Sequence, residues 1–221
     1  MTTTRAERQS RAVIFDMDGV LVDSGAHHRQ AWRALLDELG LAPVGPEFWR
    51  LTIGRPSVEA VPLLLGRATS RAEAHRLAER KQDHYRRLAR GGPPLVRGIV
   101  AFVDELAARR VPRAVATSAS RYDADRLLGE TGLRERFDAV VTAEDVRRGK
   151  PDPEVYLLAA RRLGIAPAHC LVFEDAVVGV QAARSAGMRI IGVSTAHTET
   201  ELRAAGAERA VEHFEGVSWP A

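Results

Sequence analysis

Cysteine is almost absent from this chain, which has one, Cys170, among 221 residues. A single cysteine excludes an internal disulfide, so we expect a conventional hydrophobic core in a reducing, cytoplasmic compartment. No cluster of cysteine and histidine stands at metal-ligand spacing, which disfavours a zinc site. Long apolar runs are missing as well: none approaches the roughly 20 residues that span a bilayer. The polar start MTTTRAERQSR does not resemble a secretory signal, so we expect no membrane association.

Lysine is the second scarce residue. Of the 32 lysines and arginines, Lys81 and Lys150 alone are lysine. Because the two cations differ in shape, hydration and pKa behaviour, these positions either need a compact ammonium or kept it by chance. The net charge of +3 is spread over amphipathic helices among acidic residues. Dispersed charge of this kind is typical of solvated helix faces and does not indicate a nucleic-acid surface.

Apolar segments of strand length alternate with helical patterns over most of the chain, whose hydrophobic content of 45% is typical of a packed globule. Strands that alternate with helices predict parallel βαβ units, and continuous apolar runs indicate strands covered on both faces. We therefore predict an α/β fold with a doubly wound parallel sheet. The predicted strands are residues 12–16, 113–118, 138–143, 169–175 and 189–194, and the predicted helices are residues 99–110, 123–132, 153–164 and 179–187.

This alternation breaks between about residues 24 and 92, where the pattern is helical throughout. The longest helical pattern is charged and covers residues 70–90, and the turn-rich stretch GGPPL follows it as a hinge. We therefore predict two domains. Residues 1–22 and 96–221 form the α/β core, and residues 23–95 form a helical insert.

Polar side chains follow three of the predicted strands at their carboxyl ends, which is the edge of a doubly wound sheet where ligands bind. The first strand ends in FDMDGV, whose two aspartates would repel each other unless a cation lies beside them or they have different roles. A lysine lies in the loop GKPDP after the third strand. The residues that this topology brings to one edge are Asp16, Asp18, Thr117, Ser118, Lys150, Glu174 and Asp175.

Converging carboxylates and a lysine indicate a site for Mg²⁺ and a phosphorylated ligand, because Mg²⁺ prefers hard oxygen ligands and is usually held by carboxylates together with phosphate. A carboxylate can also attack phosphorus and form an aspartyl phosphate. Phosphoryl transfer requires that the charge on the oxygens be neutralised. Lys150, the Thr117 hydroxyl and the backbone N–H groups of the Asp16–Gly19 turn could do so, and Gly19 lets the backbone approach the phosphate.

Four motifs, DMDGV, ATS, GKPDP and FEDAVVGVQAARSAGM, occur in this order across nearly the whole predicted core. Together they resemble the haloacid dehalogenase superfamily of phosphotransferases, and the helical insert after the first motif resembles the α-helical cap of its subfamily I. The resemblance implies a Rossmann-like core, Mg²⁺ as the cofactor and a phosphoaspartate intermediate. Dehalogenation itself is not expected, because that branch lacks the second aspartate and the acidic pair for Mg²⁺.

The resemblance also implies a role for each core residue. Asp16 corresponds to the nucleophile, and Asp18 to the general acid/base whose backbone carbonyl also binds Mg²⁺. Thr117 corresponds to a catalytic hydroxyl. The other implied roles are phosphate binding by Gly19, Ser118 and Ala119, neutralisation of the nucleophile and phosphate by Lys150, and Mg²⁺ binding by Glu174 and Asp175 together with Asp16.

Two cap residues are implied by a resemblance to β-phosphoglucomutase and related sugar-phosphate phosphatases. In LAERKQDHYRRL, Lys81 stands where a cap lysine reaches the distal phosphate of the substrate; the alternative is a solvated helix face. His28 stands where the mutase has a histidine near the hinge and the substrate; the alternative is an exposed helix histidine.

The loop TIGRPS contains Gly54 and Arg55, which resemble the cap loop that meets the active site and the substrate. The sequence departs from the mutase here, because Ser57 stands where an arginine is expected. Either Arg55 substitutes for that arginine by a different route or the ligand differs. Ala176 also replaces a serine that is common in this subgroup, which removes one hydrogen-bonding group.

The leading hypothesis from the sequence is a Mg²⁺-dependent phosphatase that hydrolyses a small phosphorylated metabolite, foremost a sugar phosphate. A β-phosphoglucomutase-like isomerase is the alternative with related chemistry, which Lys81 favours and Ser57 weighs against. A non-catalytic binder of nucleotides or sugar phosphates is the alternative from another class, and the joint presence of Asp16, Asp18 and Lys150 argues against it. We expect no nucleic-acid partner and a monomer or weak dimer.

Overall fold

A computed structural model describes residues 11–220; residues 1–10 of the predicted core domain, and Ala221, lie outside the described residues. The strands are β1 (Ala12–Phe15), β2 (Arg113–Ala116), β3 (Ala139–Val141), β4 (Cys170–Glu174), β5 (Arg189–Val193) and β6 (Arg209–Val211). They form one sheet in the order β3-β2-β1-β4-β5-β6, and every neighbouring pair is parallel. The prediction contains all of these strands except β6, whose three residues begin with an arginine and are exposed or only partly buried, so they form no apolar run.

Helices cover both faces of this sheet. One face packs against α5 and α6 through side chains such as Phe102 and Leu127, and the other packs against α7, α8 and α9 through side chains such as Tyr156 and Val180. The predicted doubly wound α/β fold is therefore confirmed. The α-helices are α1 (Gly25–Glu38), α2 (Pro46–Thr52), α3 (Ser57–Leu65), α4 (Arg71–Leu88), α5 (Ile99–Ala108), α6 (Arg121–Glu130), α7 (Glu154–Leu163), α8 (Val177–Ser185) and α9 (Glu199–Ala205). Across residues 11–220, no helix combines the length and the apolar character that crossing a membrane requires.

The central strand β1 is apolar at each of its four residues, and all of them are buried. Its side chains alternate between the two faces, so Phe15 enters one core cluster and Ile14 the other. The ring of Phe15 stacks on Phe173 of β4 with centroids 5.4 Å apart. This packing secures the pairing of β1 with β4, in which Phe15 lies opposite Phe173.

The register of β1 and β4 determines where the polar residues lie. The strand order reverses between these two strands, and ligands bind at such a switch point in doubly wound sheets. Because Phe15 lies opposite Phe173, the next residues on the two strands, Asp16 and Glu174, lie side by side at the carboxyl edge. The predicted convergence of acidic residues at one edge is thus a direct result of strand register.

The helices α1 to α4 pack around their own cluster, which contains Trp32, Phe48, Val61 and Leu77. Trp32 and Phe48 meet edge to face with centroids 5.5 Å apart, so these aromatic residues form part of the core of the insert. We call this helical unit the cap. The chain enters and leaves it beside a bridge between Val22 and Leu95, and the predicted boundaries of residues 23–95 stay a prediction.

Candidate active site

Lys150 lies between two buried carboxylates at the carboxyl edge of the sheet. Its Nζ donates to Asp16 Oδ1 and to Glu174 Oε1, at 2.6 Å in each case. The Tyr156 hydroxyl donates to the same Glu174 oxygen at 3.1 Å, and the backbone N–H of Ala176 donates to the other at 2.6 Å. Both oxygens of Glu174 therefore accept hydrogen bonds within the protein, and Glu174 holds Lys150 against Asp16.

The charges of this group depend on each other. Burial disfavours the charged form of Lys150, but the carboxylates of Asp16 and Glu174 outweigh it and hold the pKa of the ammonium well above its ordinary value. Burial is also the largest influence on Asp16 and, with a further contribution from Glu174, raises its pKa to about 7 although Lys150 opposes the shift. Lys150 is therefore a permanent cation beside a carboxyl group that holds its proton more tightly than usual.

Asp175 completes a group of three carboxylates with Asp16 and Glu174, each of which offers one oxygen within 4.8 Å of the others. Burial, followed by the charges of Glu174 and Asp16, raises the pKa of Asp175 well above its ordinary value. The Thr195 hydroxyl donates to the backbone oxygen of Gly19 at 2.6 Å and lies 3.3 Å from Asp175 Oδ2. Within residues 11–220 this is the one group of three potential ligands. Its all-oxygen donor set and crowded negative charge fit Mg²⁺.

Gly19 adjoins this group in a conformation that favours glycine. Its φ is +79°, and a Cβ atom there would lie 1.8 Å from Asp175 Oδ2. The turn after β1 and the carboxylate after β4 can therefore approach each other only because position 19 has no side chain. The approach that the sequence predicts for Gly19, of the backbone to a phosphate, stays a prediction.

Asp18 is held from the cap side of the site. Ser24 Oγ donates to Asp18 Oδ1 at 2.5 Å, and His28 Nε2 lies 3.1 Å from the same oxygen. Lys81 Nζ lies 2.8 Å from His28 Nδ1. Because an ammonium only donates, Nδ1 accepts and the proton of the neutral ring is on Nε2, from which it is donated to Asp18.

These contacts separate the two aspartates in pKa. Burial opposes the ionisation of Asp18, but its hydrogen bond and charge interaction with His28 lower its pKa below the ordinary value. Burial and the charge of Lys81 also lower the pKa of His28, which keeps the ring neutral. Asp16 and Asp18 therefore have opposite shifts, a pattern typical of paired carboxyl groups with different roles.

Lys81 and His28 both lie on the cap side of the boundary with the core and contact aromatic rings there. Lys81 is 2% exposed, and its Nζ lies 5.4 Å from the centre of the Trp32 ring and 5.3 Å from that of Tyr85. The His28 ring stacks on Tyr85 with centroids 4.2 Å apart. Lys81 therefore does not lie on a solvated helix face. His28 is partly buried, with 31% of its side chain exposed, and the substrate contacts of both residues stay predictions.

The residues after β2 connect the core to the cap loop. Thr117 is buried, and its Oγ1 accepts from the backbone N–H of Ala119 at 3.0 Å. Ser118 Oγ donates to the backbone oxygen of Gly54 at 3.0 Å. Gly54 has a φ of +77°, and a Cβ there would lie 2.5 Å from the Ala176 Cβ. The small residue at 176 therefore accommodates the cap loop, which accounts for alanine at that position.

A cavity of about 400 Å³ lies between the core and the cap. Among the predicted site residues, Lys150 and Glu174 do not line it; they lie behind Asp16 and contact it from the core. Arg55 reaches the cavity wall with a partly exposed side chain that pairs with Glu59 at 3.4 Å. The predicted residues that line the cavity are Asp16, Asp18, Gly19, His28, Gly54, Arg55, Lys81, Thr117, Ser118, Ala119 and Asp175.

Three residues of this site have no role in the sequence-based prediction. Ser24 contacts Asp18, Tyr156 contacts Glu174, and Thr195 contacts Gly19 and Asp175. Ser24 and Tyr156 do lie close to predicted motifs, at the end of DGVLVDS and shortly after GKPDP. A tyrosine at helical spacing is normally a core residue, however, and Thr195 follows a strand whose carboxyl end carried no prediction.

The fold and the site together define a class of protein: a doubly wound α/β protein with a helical cap over a carboxylate-rich sheet edge. The model of the haloacid dehalogenase-like hydrolase family matches residues 10–187. The chain belongs to this family, as the order of its motifs predicts.

Curated relatives and solved structures agree with this assignment. Fructose-1-phosphate phosphatase YqaB of Escherichia coli (strain K12) is 38% identical over 182 residues, which cover 82% of this chain and 95% of the relative. Beta-phosphoglucomutase of Bacillus subtilis (strain 168) is 32% identical over 190 residues and 83% of both chains. A crystal structure of HAD hydrolase, family IA, variant 3 from Entamoeba histolytica HM-1:IMSS has a TM-score of 0.86 and 28% identity, and the match covers 95% of this chain and 96% of that one. The predicted enzyme class, a phosphoric monoester hydrolase of this family, is confirmed.

Proposed function

We propose that this protein is a Mg²⁺-dependent phosphatase that hydrolyses a small sugar phosphate through a phosphorylated Asp16. The observation that carries the proposal is the pair of 2.6 Å hydrogen bonds by which Lys150 joins Asp16 to Glu174. They hold one oxygen of Asp16, and Asp16 lines the cavity together with Asp18 and Thr117. A carboxylate held in this way suits in-line attack on phosphorus.

In the first step, Asp16 attacks the phosphorus atom, and the bond from phosphorus to the ester oxygen breaks. The leaving oxygen takes a proton from Asp18, and the transferred group forms an acyl phosphate with Asp16. The Lys150 ammonium and the donors after β2, the Thr117 hydroxyl and the backbone N–H of Ser118, neutralise the phosphoryl oxygens.

In the second step, Asp18 accepts a proton from water, which attacks the phosphorus and releases inorganic phosphate and free Asp16. The ionised form of Asp18 is the one this base requires, and the contacts from His28 and Ser24 favour it. The first step needs the opposite forms, Asp16 ionised and Asp18 protonated, so the proton that burial favours on Asp16 must pass to Asp18 when the substrate binds.

Asp16, Asp175 and the backbone carbonyl of Asp18 would hold the Mg²⁺ ion, with Glu174 beside them. When bound, the ion supplies positive charge that neutralises the phosphate and favours ionised carboxylates. Asp175 is the better side-chain ligand of the acidic pair, because both oxygens of Glu174 accept hydrogen bonds from Lys150, Tyr156 and Ala176.

A sugar phosphate is the substrate class that the cavity supports. Its volume of about 400 Å³ suits a small metabolite, and Lys81, Arg55 and His28 line its cap side. The name of the Escherichia coli relative points to fructose 1-phosphate as a first probe. We further propose a cytoplasmic monomer or weak dimer with its cap formed by residues 23–95.

The nucleophile is tested with Asp16→Asn in an assay of phosphate release from fructose 1-phosphate with Mg²⁺. We expect turnover to fall by more than about 10⁴-fold, because the amide cannot attack phosphorus. Asp37→Asn, an exposed change in α1, is the control and should leave turnover unaltered. Turnover that persists in Asp16→Asn would overturn the assignment of the nucleophile.

A mutase acting on sugar phosphates is the second candidate. It is favoured by the buried contact of Lys81 with His28 and by the similarity to Beta-phosphoglucomutase. ³¹P NMR with Mg²⁺, β-glucose 1-phosphate and a trace of glucose 1,6-bisphosphate separates the two candidates. Glucose 6-phosphate with little inorganic phosphate would identify a mutase, and inorganic phosphate would identify a phosphatase.

A further inference from the structure

Asp123 is a buried carboxylate of the core that contacts the cap and lies outside the predicted chemistry. It lies in the first turn of α6 and is 3% exposed. Arg86 of the cap helix α4 donates to it twice, from Nε to Oδ1 at 2.8 Å and from Nη2 to Oδ2 at 3.0 Å. Gln82 Nε2 donates to Oδ2 at 3.2 Å, and Ser120 Oγ donates to Oδ2 at 2.7 Å. Two of its three side-chain partners thus belong to the other structural unit.

The same contact determines how Gln82 is oriented. A carboxylate only accepts hydrogen bonds and an ammonium only donates them. The Gln82 amide therefore directs its NH₂ group to Asp123 and its oxygen to Lys81, whose Nζ lies 3.2 Å from Oε1. The reverse orientation would oppose both neighbours. Asp123 thereby influences Lys81 through one side chain.

Helical spacing places these groups on two adjacent faces of α4. Gln82 and Arg86 are four residues apart and both bind Asp123 of the core, while Lys81 and Tyr85, also four apart, face the cavity. Gln82 and Asp123 line the same cavity beside them. A small rotation or shift of α4 on the core would therefore displace both cavity residues. The position in which α4 packs against Asp123 therefore determines where Lys81 lies relative to a bound substrate.

A second ion pair across the same boundary has a different character. Arg50 of α2 pairs with Glu201 of α9, but its side chain is 64% exposed. Exposed pairs contribute little to stability or geometry because water competes for both partners. Arg50 does not line the cavity. The Arg50–Glu201 pair is therefore a suitable control for the Arg86–Asp123 pair, which is buried and lies beside the site.

We propose that Asp123 is a positioning residue for substrate selection: through Arg86 and Gln82 it seats α4 on the core and aims Lys81 into the cavity. The proposal rests on the proposed function, since Lys81 is taken to contact the part of the substrate remote from the reacting phosphate.

The test compares Asp123→Ala, Gln82→Ala and Arg50→Ala with the unmodified protein. Two esters are used with Mg²⁺: fructose 1-phosphate, and phenyl phosphate, whose leaving group has no hydroxyl groups for the cap to hold. Hydrogen–deuterium exchange of residues 71–88 reports the seating of α4 without requiring turnover.

We expect Asp123→Ala to speed exchange in α4 and to lower kcat/KM for fructose 1-phosphate by about 100-fold, the cost of a misplaced substrate contact, with a smaller loss for phenyl phosphate. Gln82→Ala should reproduce the selective kinetic loss with less effect on exchange, because Arg86 still binds Asp123. Arg50→Ala should change neither. If the alanine variant does not fold, Asp123→Asn replaces it: the amide still accepts from Arg86 and should give an intermediate effect.

Exchange in α4 that matches the unmodified protein, or equal losses for the two esters, would overturn the positioning role. Failure of the unmodified protein to hydrolyse either ester would count against the proposed function alone, because the exchange comparison still decides whether Asp123 seats α4.

Discussion

Lys150 is the residue on which the central carboxylates depend. It is 2% exposed and hydrogen-bonded to both Asp16 and Glu174. The other lysine, Lys81, is buried to the same extent, but its hydrogen-bond partners are His28 and Gln82. Burial without a carboxylate partner lowers the pKa of Lys81 to about 8. The two lysines of this arginine-rich chain therefore have opposite electrostatic situations.

We predict that Lys150→Met lowers the free energy of unfolding by about 3–5 kcal/mol at pH 8, because Asp16 and Glu174 lose their shared cation. The loss should be smaller at pH 5. Carboxyl groups whose folded pKa is raised are stabilised by taking up protons, so stability recovers as the pH falls through that pKa. Lys81→Met is the control and should change stability little. Urea unfolding at both pH values measures this, and equal losses for the two variants would contradict it.

A second prediction at this scale concerns Gly19. Alanine at Gly19 or at Gly40 must adopt a positive φ, +79° or +63°, and each should lose about 1–2 kcal/mol of stability. A Cβ at Gly19 would also strike Asp175, whereas nothing lies within 4 Å of one at Gly40. Gly19→Ala should therefore lose phosphate release and Mg²⁺ binding as well, and Gly40→Ala should keep both. Equal phosphate release by the two variants would show that the close approach of Gly19 to Asp175 is not required.

Among the helices, α8 has a residue whose type depends on the site. The helix α8 begins three residues after β4 ends and passes directly beside Glu174. Gly179 lies at the contact, where a Cβ would be 1.6 Å from Glu174 Oε1. A glycine in the first turn of this helix is therefore explained by the carboxylate beside it, and not by helix propensity.

Gly179→Ala reverses the usual rule for helices. Alanine in place of glycine normally stabilises a helix by about 1 kcal/mol, and Gly129→Ala in α6, where nothing lies within 4 Å of the new Cβ, should do so. Gly179→Ala should instead destabilise the protein and reduce turnover, because it displaces Glu174 and with it Lys150. Thermal unfolding and phosphate release test the pair. A gain of stability in both variants would refute the argument.

At the scale of the whole molecule, the site exists because two structural units face each other across a cavity. The sheet edge supplies Asp16 and Asp175, and the cap supplies His28 and Lys81. Several contacts join the units, among them the hydrogen bond from Ser118 to Gly54 and the bonds from Arg86 to Asp123. The structure therefore has its cap against the core.

Mg²⁺ should stabilise this fold more at pH 8 than at pH 5.5. The pKa of Asp16 is raised to about 7, so at pH 5.5 it holds a proton that the ion must displace, and the pKa of Asp175 is shifted in the same direction. At pH 8 and an Mg²⁺ concentration about 100 times Kd, we expect about 2.7 kcal/mol of stabilisation. Without the ion, these two groups make the protein less stable as the pH rises from 4 through 7, because the unfolded chain loses its protons first.

The measurement is Tm with and without Mg²⁺ at the two pH values. Asp175→Asn is the control, since it removes a proposed ligand and should abolish the difference. An Mg²⁺-induced rise in Tm that is equal at both pH values would contradict the argument.

The order of the strands and helices in most of the chain could be predicted from the amino-acid sequence alone. So could the kinds of side chain that follow the strands. Apolar segments and helical periods record burial locally, which is why β1, β4 and the long α4 can be predicted. Asp16, Asp18 and Lys150 belong to the motifs DMDGV and GKPDP, which can be recognised in the sequence by their residues and their order. The edge strand β6 and the short α9 leave no such record, because their three and seven residues are held by tertiary packing.

Which side chains contact each other could be seen only in the folded structure. The choice between a solvated and a buried Lys81 depends on how α4 packs on the core, since its neighbours Arg80 and Gln82 are polar and a lysine there is compatible with either position. The roles of Tyr156, Ser24 and Asp123 likewise depend on hydrogen bonds between residues that lie 6 to 41 positions apart. Such partners are brought together by strand register and cap docking, and these are properties of the packed molecule that no local pattern contains.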